Sequence, residues 1–221
     1  MEKIYYILIL FIALSCSTKE DDRNLPLCDT NCTTIQGRFL TENGKVPVTN
    51  LDLSLEWGIT SELGGQIIQI ADTKTAKDGS YLFSFYVKDK ELKDGTFAIS
   101  FKVKNDSFLT PIYPYFKFMI YKRDTVITHD YLLPKKSFIK VYNSLSLTDN
   151  DYLLCDVMYL CGGGMIISYE LDSRHENQKV IETAGNQYTY LRIIKNTGNQ
   201  RYFYNDSIMV YLNDTSNYII K

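Results

Sequence analysis

Apolar and polar residues alternate with a period of two along most of this chain. Ile35-Gln36-Gly37-Arg38-Phe39 opens the pattern, and the Asn43-Gly44 pair inside Glu42–Lys45 is a hairpin signal. Leu51, Leu53, Leu55 and Trp57 then alternate with Asp52, Ser54 and Glu56, as a half-buried strand requires, with Trp57 in phase with the core positions. After an Asp78-Gly79 turn, Tyr81, Phe83, Phe85 and Val87 share one face. After Lys93-Asp94-Gly95, Phe97, Ile99, Phe101 and Val103 alternate with Ala98, Ser100, Lys102 and Lys104, and the second set faces water. Ile112, Pro114, Phe116, Phe118 and Ile120 form one face of the next strand; Tyr113, Tyr115, Lys117, Met119 and Tyr121 form the other. Further strands are expected at 138–141, 152–159, 165–169, 187–194, 207–212 and 218–220. No segment after residue 16 carries a useful helical period. Strands at this spacing predict an all-β fold. The length from Thr33 to Lys221 accommodates two small antiparallel β-sandwiches in tandem, of about 100 residues each, at 33–133 and 134–221. Leu132–Lys136 reads as the joint; one larger continuous sandwich is the alternative.

The front of the chain is different. Residues 4–14 are almost entirely apolar behind Lys3, a run of signal-peptide length and far short of the roughly 20 residues a spanning helix needs. Ala13-Leu14-Ser15-Cys16 follows and resembles the lipobox of bacterial lipoproteins, in which the cysteine is acylated and becomes the new N-terminus. Lys19, Glu20, Asp21 and Asp22 come directly behind it, and this lysine-then-acids run resembles the export signal of Bacteroidetes surface lipoproteins. The resemblance implies a signal peptide over 1–15, a lipid on Cys16, a polar tether over 16–32 and display on the outer membrane. Several acyl chains on one cysteine hold a membrane durably, whereas one chain binds only marginally. A plain secretory signal, with Cys16 lost or free, is the alternative.

The stretch "IQGRFLTENGKVPVTNLDLSLEW" followed by "TKTAKDGSYLFSF" is similar to the carboxypeptidase regulatory-like domain, a transthyretin-type sandwich. That module accompanies peptidases and outer-membrane receptors and is not itself a peptidase. The resemblance therefore implies a docking or accessory role. Segment 58–72, "GITSELGGQIIQIAD", exceeds the family minimum and reads as an inserted loop. The chain's end, "NDSIMVYLNDTSNYIIK", resembles the C-terminal β-domains of small Bacteroidetes lipoproteins in general pattern.

A net charge of −2 gives no field for nucleic acid. Of the five cysteines, four remain if Cys16 carries lipid: Cys28, Cys32, Cys155 and Cys161, which allow three connectivities in an exported protein. Turn residues between Cys28 and Cys32 permit a local bridge. Cys155 and Cys161, if on one strand, stand ~20 Å apart and cannot join, so a bridge from the leader cysteines is the other option. No zinc, calcium or cofactor motif is complete: Asp149-Asn150-Asp151 lacks the rest of a calcium loop, and Cys161-Gly162-Gly163-Gly164 reads as a hairpin turn. His129 and His175 stand apart. The tyrosines Tyr113, Tyr115 and Tyr121 could stack on a glycan or simply cover the sheet. Asp124-Thr125-Val126 and Asp206-Ser207-Ile208 resemble the Bacteroidetes O-glycosylation acceptor at Thr125 and Ser207. The function expected is a non-catalytic outer-membrane accessory module that binds a ligand or glycan, or docks on a receptor or transport complex. A structural spacer or adhesion-stalk subunit is the alternative, and an enzyme with dispersed carboxylates is third.

Overall fold

The computed structural model describes residues 28–61, 64–103, 106–109, 111, 114–148, 150–198 and 200–221. Cys16, the Lys19–Asp22 run, Tyr113 and Asp149 lie outside them. The described chain is built almost wholly of strands, as the alternation predicts. In the first sandwich β1 (Thr33–Thr41) is the centre of one sheet. It pairs antiparallel with β2 (Val46–Pro47) and β5 (Ser80–Phe85), and parallel with β8 (Val126–Thr128) and β9 (Tyr131–Leu132). Opposite lies a sheet ordered β4-β3-β6-β7, of β3 (Asp52–Ser61), β4 (Gly64–Lys74), β6 (Thr96–Lys102) and β7 (Tyr115–Phe118). The inward sets predicted from sequence fill the space between: Ile35, Phe39, Leu53, Leu55, Trp57, Phe83, Phe97 and Ile99 are all buried in one cluster. Trp57 also donates its indole N–H to the Asp94 carbonyl (3.1 Å), so burial leaves no polar atom of the ring unpaired.

The second sandwich repeats this plan. β10 (Lys136–Asn143) lies between β13 (Gln178–Ala184), antiparallel, and β16 (Thr215–Ile220), parallel. The facing sheet is ordered β12-β11-β14-β15, of β11 (Tyr152–Cys161), β12 (Gly164–Asp172), β14 (Gln187–Thr197) and β15 (Gln200–Val210). In both sandwiches the opening strand pairs in parallel with the closing one. Ile139, Val141, Leu153, Val157, Leu191 and Ile193 form the second core.

Three features differ from the sequence reading. Segment 58–72 is not a loop: it completes β3 and forms most of β4, with Ser61 paired to Gly64. A bulge at Leu55/Glu56 offsets the register, and Ile68 and Ile70 pack on the core while Ile67 faces out. α1 (Asp89–Lys93) is a single helical turn after β5, too short to carry a period; the buried Glu91 carboxylate caps it by accepting the Lys88 N–H at 2.7 Å. β13 and the first half of β15 escaped the hydrophobic pattern: β13 buries Ile181 beside the polar Thr183, and Gln200–Ser207 of β15 are all exposed.

The joint between the sandwiches is short and bonded throughout. Only Leu133, Pro134 and Lys135 separate β9 from β10, and each side of this stretch is held: Leu109 N–H reaches the Pro134 carbonyl (2.9 Å) and Gly185 N–H the Lys135 carbonyl (2.9 Å). Leu132 and Gly162 form a bridge, with Gly162 N–H on the Leu132 carbonyl at 2.7 Å. Glu42, in the turn after β1, takes Lys135 at 2.5 Å and the Asn186 amide at 3.0 Å. Tyr159, Cys161 and Ala184 from the second sandwich belong to the first core.

Candidate interaction surface

The two four-stranded sheets have the same order, so their outer faces can be compared strand by strand. On the first sandwich the outward residues are Asp52, Ser54 and Glu56 of β3, paired across to Lys74, Asp72 and Gln69 of β4 and to Lys102, Ser100 and Ala98 of β6. This is the polar side that a one-sided antiparallel sheet presents to water. Lys74 and Asp52 pair at 2.8 Å there, beside an open depression of about 550 Å³.

The second sandwich reverses the chemistry. Outward from β11 point Leu154, Asp156, Met158 and Leu160, since Leu153, Cys155, Val157 and Tyr159 point in. Register places Ile167 and Met165 of β12 beside Met158 and Leu160, and Tyr190 of β14 on the other flank of Met158. β15 adds Met209 beside Tyr188 and Phe203 beside Ile194. These side chains belong to neither core cluster. Met165 (49%), Ile167 (53%), Tyr188 (53%) and Phe203 (64%) are open to solvent. Three of the chain's five methionines stand on this one face. The signal was present in the sequence: Tyr152–Cys161 is apolar in both phases of the alternation, the mark of a strand covered on both sides.

One ion pair sits in the middle of the apolar face. Asp156 is 3% exposed although it points away from the core, and it accepts the Arg192 Nε–H at 2.5 Å. Its partners are on the outer face, Arg192 of β14 on one flank and Glu170 of β12 on the other. Glu170 lies across the sheet from Asp156. Desolvation, then the neighbouring Asp156 carboxylate, hold the Glu170 carboxyl above its ordinary value.

The sequence candidates fall elsewhere. Tyr115 is on the outer face of the edge strand β7, with Lys117 over its ring at 5.2 Å. Tyr121 is beyond the end of β7 and donates to the Met119 sulfur at 3.0 Å, so the strand does not align the two rings. Thr125 is half-buried and its hydroxyl donates to the Lys122 carbonyl (3.0 Å); Ser207 is exposed, on the outer apolar face of β15. Cys28 and Cys32 form a disulfide with a Cα–Cα separation of 5.6 Å. Cys155 and Cys161 are buried free thiols on β11, and burial pushes them up to about 12 and about 11. His129 stacks on Phe116 at 4.7 Å, and burial lowers its pKa. His175 lies 3.8 Å from Asp172 on the surface. Asp151 accepts from the Thr148 hydroxyl (2.8 Å) and the Gly198 N–H (3.0 Å), which ties the turn before β11 to the end of β14.

Neither a protein-family profile nor a curated protein sequence matches the chain. Solved structures with a similar strand arrangement exist. The Bacillus anthracis TIE protein is 10% identical with a TM-score of 0.36, over 86% of this chain and 34% of that one. A streptococcal ancillary pilin is 9% identical at 0.34, over 86% and 63%. The shaft pilin SpaA from Lactobacillus rhamnosus GG is 6% identical in a D295N form at 0.35, over 85% and 97%. This chain thus spans about a third of the first and less than two thirds of the second. Scores of this size carry no argument about activity or partner.

Proposed function

We propose that this protein is a non-catalytic, rigid two-sandwich spacer, held at the bacterial outer membrane by a lipid on Cys16. The locked joint carries this reading. β1 runs from Thr33, at the tether side, to the Glu42 turn that grips Lys135 and Asn186. β10 then leads away from the joint, and Ile220 at the chain's end pairs with Asn143 at the far end of β10. Nine residues of β1 extend ~30 Å and eight of β10 ~27 Å, so the tether side of β1 and the far end of β10 each stand about one strand length from the joint. A binding module would need no such fixed axis. The lipid, the export signal and outer-membrane placement rest on the sequence around Cys16. Pulsed electron resonance on nitroxides at Leu82→Cys and Val180→Cys, both exposed positions, tests the spacer. One narrow distance is expected; a broad distribution would sink the idea. A second reading, an accessory module that docks on another protein, is favoured by the apolar outer face of the second sandwich.

A further inference from the structure

We propose that the outer face of β12-β11-β14-β15 is a self-association surface, on which two copies of this chain stack face to face about a two-fold axis parallel to β11. The inference does not depend on the spacer reading, since a spacer requires no partner. Three observations carry it.

The first is the internal comparison. The same strand order gives a charged outer face in the first sandwich and an apolar one in the second. The topology therefore does not demand the apolar residues. Their enrichment in Met and Tyr, with no lysine among the outward residues of β11, β12, β14 and β15, is the composition of a protein interface core.

The second is size. Four strands ~4.8 Å apart and about eight residues long cover on the order of 500 Å² in projection. Side-chain relief raises the accessible area further, toward the ~800 Å² that each partner contributes to a standard interface.

The third is charge. A face that meets its own copy must not present an unbalanced charge at its centre, because the copy would present the same one. The central Asp156 is neutralised in place by Arg192. At the level of Asp156 the remaining charge is Glu170, one strand to the other side of β11 from Arg192; the further charges, Asp172 paired with Arg174 and Arg201 on β15, lie toward one end of the face. A two-fold axis along β11 lays β12 of one copy over β14 of the other. Each Glu170 then meets the half-exposed Arg192 guanidinium of the opposite copy, the reciprocal pairing that two-fold symmetry imposes. The same operation sets Met165 and Ile167 over Tyr188 and Tyr190. Aligned stacking of this kind is how sheets ordinarily pack, ~10 Å apart.

The test is sedimentation equilibrium of the full-length lipidated protein in density-matched detergent, from about 1 to 100 µM. A concentration-dependent dimer is expected. Ile167→Lys should weaken it by about 100-fold or more, because the lysine must be buried without a partner. Glu170→Arg should weaken it by about 10-fold, by setting like charges opposite. Ser54→Lys, on the corresponding face of the first sandwich, should change nothing. Thermal melts check that each variant is folded; Tyr188→Lys replaces either one that is not. A wild-type monomer at every concentration overturns the proposal and leaves the face to a different protein. So does a dimer that Ile167→Lys and Glu170→Arg leave intact, since another surface or the lipid would then hold it. Neither result bears on the distance measurement that tests the spacer.

Discussion

Gly37 is the residue with the least freedom in the first sandwich. A Cβ there would lie 1.8 Å from the His129 carbonyl oxygen. The close approach lies where the β1 ladder passes from β8 to β9 at 129–130; the Asp130 carboxylate accepts the Arg38 N–H (2.8 Å), and Tyr81 O–H donates to the His129 carbonyl (2.8 Å). Gly37→Ala must push this segment off β1, and a loss of about 3 kcal/mol or more is expected in urea unfolding. The cysteines give a second prediction. With thiols held at about 12 and about 11 by burial, Cys155 and Cys161 should not react with Ellman's reagent at neutral pH in the folded state. Two thiols should appear on unfolding without reductant, and two more only after Cys28–Cys32 is reduced.

At the scale of elements, the Asp156–Arg192 pair decides how β11 and β14 meet on their outer face. The charge of Asp156 is covered, so removing its partner is costly while removing both is not. Arg192→Leu should destabilise by about 3 kcal/mol, and Asp156→Leu with Arg192→Leu should return to within about 1 kcal/mol of wild type. A double-variant loss equal to the sum of the two single losses would show that the pair is not coupled. β15 is an exposed edge strand of eleven residues without proline, which ordinary soluble proteins shorten or charge. In the stacked pair its Phe203 and Met209 lie at the rim of the covered face.

For the whole molecule, the joint is the feature that responds to pH. Hydrogen bonds from Lys135 and then Asn186 hold the Glu42 carboxyl below its ordinary value. The folded state thus favours the charged form. Its contribution is complete above the ordinary carboxylate pKa of about 4.3 and is lost as pH falls through the lowered folded value. The inter-sandwich distance should stay narrow from neutral pH to about 5 and broaden in stronger acid. Glu42→Gln should broaden it modestly at neutral pH and remove the acid dependence, because the Leu132–Gly162 bridge and the shared core remain.

Side-chain period determined the element types by itself. Wherever one face is buried and the other wet, as in β3 and β6, the alternation of Leu53, Leu55 and Trp57, or of Phe97, Ile99 and Phe101, can be satisfied only by a strand with those residues inward. The address implied by Cys16 also belongs to sequence alone, because targeting is read from the linear chain. Period says nothing of edges. β13 escaped it because its inward positions are Ile181 and the polar Thr183 rather than an apolar set, the first half of β15 because Gln200–Ser207 are exposed, and α1 because one turn is shorter than a period. Nor does period say which strands become neighbours. The common plan of the two sandwiches and the lock of Glu42 on Lys135 and Asn186 arise from pairings across 93 and 144 residues. The outer apolar face lies between these levels. Tyr152–Cys161 announced a strand covered twice, but only tertiary structure decided that no second covering lies over it among the described residues, because sheet order alone fixes what lies above each face.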